Sequence, residues 1–196
     1  APLYTKNKLL GLIGDIPETN RHGIGLGAER RDEIQKAINS VIPHNPTENP
    51  AQSELMHGSW RLLYSTSEAM NAGNIGPEWM QSVGSYVIAD VTQEINMYAR
   101  HYENSIAKGP MQIKLNADFI PMADGMTWTC KFKRLRTAVP GKSEDTELSG
   151  EGTDQGTWET HYLDKDLRIF TARSVSKDKE GNTVGKQDLF VFGKNR

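Results

Sequence analysis

The sequence predicts a mainly β protein, an antiparallel barrel or sandwich of about nine short strands behind two α-helices. Three observations carry that expectation. Apolar residues recur at helical spacing only in the first quarter of the chain. From Trp60 onward the period changes to two. Turn signals then separate the strand-like runs with no helical pattern between them, which disfavours a parallel α/β fold.

The elements follow in order. Leu9, Leu12, Ile13 and Ile16 share one face of a first helix, and Pro17 ends it. Residues 18–27 read as a polar, glycine-rich flexible linker. Within it, Gly23-Ile24-Gly25-Leu26-Gly27-Ala28 superficially fits a dinucleotide fingerprint but lacks the strand that must precede one. Ile34, Ala37, Ile38, Val41 and Ile42 form an apolar stripe on a second helix of about 14 residues. Glu29, Asp32 and Glu33 suit its positive end, and Pro43 stops it. Asn45-Pro46-Thr47 to Pro50 is a stiff, extended connector. Trp60, Leu62 and Tyr64 then alternate on a strand, with Leu63 interrupting the rhythm. Further strands are expected over 85–91, 94–102, 111–119, 126–136, 146–153, 157–163, 167–176 and 183–192. Turns fall at 108–110, 123–125, 140–141 and 180–182. The division is a helical segment and linker over 1–56 and the β part over 57–196, within one structural domain.

Composition narrows the function classes. The chain has 196 residues, with 23 Lys and Arg against 25 Asp and Glu. That balance argues against wrapping nucleic acid by charge. The single cysteine, Cys130, excludes an internal disulfide framework and a four-cysteine zinc site, and fits a reducing or stromal compartment. The first residue, Ala1, suits a mature form freed of a targeting peptide or a trimmed sequence; no signal or transit peptide is legible in what remains.

The chemistry-bearing residues point away from catalysis. The five histidines are scattered, without metal-site spacing. Glu159, His161, Asp164 and Asp166 are close in sequence, but Leu163-Asp164-Lys165-Asp166-Leu167 reads as a polar hairpin turn. No metal site, catalytic group or tightly bound cofactor is expected. Lys131, Lys133, Arg134 and Arg136 crowd one strand and form a candidate docking surface for anionic lipid or an acidic partner. The acidic segment after it, Glu144, Asp145, Glu147, Glu151 and Asp154, can neutralise that strand across a hairpin. Gly58-Ser59-Trp60, between helices and strands, places an indole across the closed end of a small barrel. Arg168 is the candidate to cover its face.

Those residues bring a resemblance into view. Leu9-Leu10, Arg21, Gly23, Asn45-Pro46-Thr47, the run from Gly58 to Ser67 and the run from Trp158 to Ile169 resemble the plastid lipid-associated protein family, also called plastoglobulin or fibrillin. The resemblance implies a lipocalin-like β-barrel of about 8–9 strands and a non-enzymatic role with lipids. It also implies a plastid or chloroplast setting, stromal or thylakoid-peripheral, or the cytoplasm or thylakoid of a cyanobacterium. It carries over at Trp60, Tyr64, Tyr162 and Arg168. One departure stands out: where the family has a short Arg-Gly loop, a longer charged hairpin follows Ser174, at one mouth of the expected barrel.

Two roles follow. In the first, the protein binds an acyl lipid, carotenoid or quinone, or docks on thylakoids or plastoglobules. In the second, it is an accessory subunit of a thylakoid photosynthetic complex, its barrel filled by side chains. Alternation nominates Trp60, Leu62, Tyr64, Tyr86, Ile88, Trp128, Trp158, Tyr162 and Phe190 as inward-facing, with Arg168 beside them; a one-residue slip would reverse any of these.

Overall fold

The computed structural model describes residues 2–67, 90–148, 155–177 and 183–195. Among the described residues, helices α1 (Pro2–Gly14) and α2 (Ala28–Val41) precede nine strands. These are β1 (Gly58–Ser65), β2 (Asp90–Asn96), β3 (His101–Lys108), β4 (Met111–Pro121), β5 (Thr127–Val139), β6 (Lys142–Glu147), β7 (Gln155–Leu163), β8 (Leu167–Lys177) and β9 (Thr183–Lys194). No helix among the described residues is long and apolar enough to cross a membrane.

Eight strands close into a ring, β1-β2-β3-β4-β5-β7-β8-β9 and back to β1, every pairing antiparallel. The ninth, β6, lies outside the ring. The first half of β5 pairs with β7, and its second half pairs with β6 instead. An eight-stranded ring is just wide enough to be filled by side chains or to hold one small ligand.

Two expectations need correction here. The strand expected over 94–102 is broken by a turn at residues 97–100, so that Ile95 pairs back onto Tyr102. That turn, Met-Tyr-Ala-Arg, contains neither glycine nor proline, and Arg100 itself adopts a φ of 51° to close it. The linker is also not free. Ser65 N donates to the His22 carbonyl at 3.0 Å, and Arg21 pairs with Asp90 at 2.8 Å. Gly23, at φ 90°, lies so near Tyr64 that a Cβ there would stand 2.6 Å from the ring. Gly23 serves this close approach, and no strand precedes it. The parts of the expected strands at 85–89 and 149–153, and the turn at 180–182, lie outside the described residues.

The apolar residues divide into two cores. One fills the barrel and includes Trp60, Leu62, Trp128, Trp158 and Phe170. The other lies between the helices and the barrel wall, where Leu9, Ile13, Ile34, Ile38 and Val41 meet Tyr64, Tyr162, Ile169 and Val191. Two irregularities in the ladder decide the allocation. The register shifts between Leu62 and Tyr64 against β9, and between Thr160 and Tyr162 against β8. An extra residue in a strand reverses the faces beyond it. Tyr64 and Tyr162 therefore leave the interior, contrary to the alternation, and pack under the helices.

That outer seam is closed by hydrogen bonds centred on the β7–β8 turn. Asp164 accepts from Lys6 Nζ at 2.6 Å, Tyr162 Oη at 2.7 Å, and the backbone N–H groups of Asp166 and Leu167 at 2.8 Å each. Burial raises the Asp164 pKa, but these donors outweigh it and hold the carboxyl below its ordinary value. One turn away, Asn45 Oδ1 accepts from Leu163 N at 3.0 Å, and Thr47 Oγ1 donates to the Leu163 carbonyl at 2.5 Å. The connector is thus stapled to the same hairpin as α1.

Candidate ligand cavity

One end of the barrel is plugged. The short 3-10 turns Pro50–Gln52 and Glu54–Met56 cross it, and Ala51 and Met56 are fully buried. Trp60 Nε1 donates to the Met56 carbonyl at 2.8 Å, and Trp128 Nε1 to the Ala51 carbonyl at 2.7 Å. Each indole so buries its apolar body while its N–H stays satisfied. Trp60 seals this end as expected, but Arg168 does not cover it. Lys194, directly across the ladder from Trp60, places Nζ 4.3 Å from the ring centroid and also bonds the His57 carbonyl. From the plug an aromatic series runs along the axis. Phe119 lies 3.8 Å from Trp128, Tyr102 4.4 Å from Trp158, and Phe170 5.1 Å from Trp158 and 5.2 Å from Phe190.

Arg168 is embedded in this series at zero exposure. Its guanidinium carbon stands 4.2 Å from the Phe170 centroid, 5.2 Å from Trp128 and 5.7 Å from Trp158. Nη1 donates to Gln93 Oε1 at 2.5 Å, while Nε and Nη2 have no partner. Burial lowers its pKa to about 9, so the group is still cationic at neutral pH. The neighbouring groups supply no counter-charge: burial raises the Tyr102 phenol well above its ordinary value and the Cys130 thiol to about 12, which leaves both neutral.

Beyond this layer the described residues no longer fill the barrel. A cavity of about 250 Å³ is lined by apolar side chains that include Leu62, Ile106, Ile113, Leu135, Phe190 and Phe192. Trp158, Phe170 and Gln93 also line it, and all three touch Arg168. Its polar lining is sparse: Ser67, Gln93 and Asn104, with Gln93 Nε2 donating to Asn104 Oδ1 at 2.6 Å. Few oriented polar groups on an apolar wall is the usual make-up of a small-molecule site.

The nominated interior residues thus separate into three groups. Leu62, Trp158 and Phe190 line the cavity, whereas Trp60, Trp128 and Arg168 lie in the packed layer beneath it. Tyr64 and Tyr162 belong to the seam. Tyr86 and Ile88 fall outside the described residues. Gln93 and Asn104 went unnominated, although Val91, Gln93 and Ile95 share one face at period two. The missed turn at 97–100 hid them, because the expected strand boundary ran through this segment.

The basic strand is partly answered. Lys133 pairs with Asp118 at 3.1 Å, Arg134 with Glu147 at 3.7 Å, and Arg136 with Asp145 at 3.8 Å. His161 bonds Thr171 Oγ1 at 2.9 Å, and Asp164 is committed to the seam. Glu159, His161 and the two aspartates therefore do not converge on a common point.

The described residues thus form a plugged eight-stranded antiparallel barrel with an apolar hollow above the plug. Solved structures of similar fold include insecticyanin from the tobacco hornworm Manduca sexta, at 9% identity and TM-score 0.42 over 77% of this chain and 69% of that one. A deswapped triple mutant of bovine odorant binding protein gives 15% and 0.39 over 73% and 75%. The PAP_fibrillin family model matches residues 5–184, and the chain belongs to that family. It is 28% identical over 140 residues to the probable plastid-lipid-associated protein 5, chloroplastic, of Arabidopsis thaliana. The match covers 70% of this chain and 52% of the relative, so the chain spans about half of that protein's length.

Proposed function

We propose that this fibrillin-family protein is a non-enzymatic plastid protein that holds part of a hydrophobic molecule in the cavity of its barrel. An acyl lipid, carotenoid or quinone, met at a thylakoid or plastoglobule surface, is the class of ligand in view. The observation that carries this is the apolar cavity of about 250 Å³ above the aromatic plug. Ligand sites usually measure about 300–1,000 Å³, so this hollow suits one end of a long molecule rather than the whole of it. Plastid location rests on family membership and on the chloroplastic relative. The four cations of β5 are the proposed contact with an anionic surface.

Magnitudes bound the affinity. A chain of about 10 methylenes yields roughly 8 kcal/mol at about 0.8 kcal/mol each. Association takes back at least about 4 kcal/mol, which leaves a dissociation constant near the millimolar range. Tighter binding needs a polar anchor. Native mass spectrometry of gently purified protein tests the reading. A stoichiometric hydrophobic adduct supports it, and only a trace background speaks for the accessory-subunit role, which the filled plugged half of the barrel favours. For docking, Lys133→Glu, Arg134→Glu and Arg136→Glu together should reduce flotation with anionic vesicles; unchanged flotation retires that contact.

A further inference from the structure

We infer that the molecule in the cavity enters head first and that its head is a carboxylate, received by Arg168 and Gln93. This rests on the cavity being a binding site and adds what it selects.

Arg168 is wholly buried, and its single hydrogen bond goes to a neutral amide. Nε and Nη2 have no partner, and no carboxylate among the described residues lies within ion-pair distance of it. A buried cation left without counter-charge or full hydrogen bonding is among the costliest groups a core can hold. The aromatic faces around it supply only part of what is missing. Buried polar groups are nearly always satisfied, and a guanidinium that is not marks a place where a partner is absent.

The position of Arg168 says where that partner arrives. Three of its neighbours, Gln93, Trp158 and Phe170, form the floor of the cavity. Gln93 is the hinge of the arrangement. It holds Nη1 through its carbonyl and reaches Asn104 on the cavity wall through its amide. A carboxylate at the floor takes over the place of the Gln93 carbonyl, accepts from the guanidinium, and lets the Gln93 amide serve as a further donor. The rest of the lining is hydrocarbon and aromatic and accommodates the first stretch of an acyl chain. A neutral ester or alcohol fills the same space but leaves the charge unanswered. A hydrogen bond to a charged partner is worth enough to separate acid from ester by at least about tenfold.

The experiment compares decanoic acid with methyl decanoate by titration calorimetry on the full chain. The acid binding at least tenfold tighter, with the preference lost in Arg168→Gln while the ester still binds, supports the inference. Equal binding of the two overturns the carboxylate and leaves the cavity reading standing; binding of neither overturns both. A second measurement needs no variant. With decanoic acid labelled with carbon-13 at its carboxyl, the bound resonance should stay constant down to about pH 4.5 if the head lies against Arg168. A head at the mouth titrates near the ordinary carboxyl value of about 4–5, and that result overturns the orientation.

Discussion

Asp164 and Arg168 are four residues apart on one hairpin, and the structure treats their charges in opposite ways. Asp164, on the outer seam, accepts four hydrogen bonds, two from side chains and two from the backbone. Arg168, in the barrel, makes one. The seam is complete within the chain and serves to fasten α1 to the barrel. The interior is complete at its plug and unfinished at the floor of its cavity. A group satisfied by its own chain is a structural part; one left unsatisfied at the edge of a hollow is best read as half of a binding contact.

The largest effects are expected where the seam is cut. Asp164→Ala should lower stability by about 3 kcal/mol, since it strands the Lys6 ammonium, the Tyr162 hydroxyl and two backbone donors together. Urea unfolding measures this, and a loss under 1 kcal/mol would mean that the seam is ornamental. Gly23→Ala should follow at about 2 kcal/mol, from an unfavourable φ together with the clash with Tyr64. The seam also has a sign with pH. The folded Asp164 pKa lies below its unfolded value near 3.9, so its contribution is fully present above about pH 5 and is lost as pH falls through the folded pKa. Asp164→Asn should therefore flatten the dependence of the urea midpoint on pH between about 5 and 3.

The same contrast explains what was legible in the sequence. The stretches that carried the family resemblance, 45–47, 58–67 and 158–169, converge on the plug and the seam. Asn45 and Thr47 clamp Leu163, Tyr64 covers Gly23, and Asp164 holds Lys6. These contacts depend on specific side chains at fixed spacing, and such patterns can be read. The helices and most strands were legible because period and turn residues agree there. The cavity was harder. Its wall needs only apolar bulk, which Ile106, Ile113, Leu115 and Leu135 supply without any motif. Tyr64 and Tyr162 misled because a bulge leaves no mark in a simple alternation, and Arg100 closes a turn without the usual turn residues.

Arg168→Met sharpens the comparison from the other side. Replacing an unpaired buried cation with an apolar side chain of similar length should leave stability within about 1 kcal/mol of wild type, or raise it. Unfolding in the absence of ligand reads this. A loss as large as that of Asp164→Ala would show that Arg168 is a structural part after all and remove the contrast.

The smallest effect is expected on the β5–β6 hairpin, whose charges differ from both. Arg134 and Arg136 meet Glu147 and Asp145 at 3.7 and 3.8 Å with all four side chains at least half exposed. Water already solvates such pairs, and each contributes only about 0.2–1 kcal/mol. Because β6 lies outside the closed ring, losing them should loosen that hairpin and leave the barrel intact. Arg134→Glu with Arg136→Glu is therefore expected to shift the urea midpoint little, and to shift it less in 1 M salt, where screening acts over about 3 Å. That small cost is what makes the strand suitable for a test of docking: a charge reversal there that abolishes flotation with anionic vesicles, at nearly unchanged stability, reports on the surface and not on the fold.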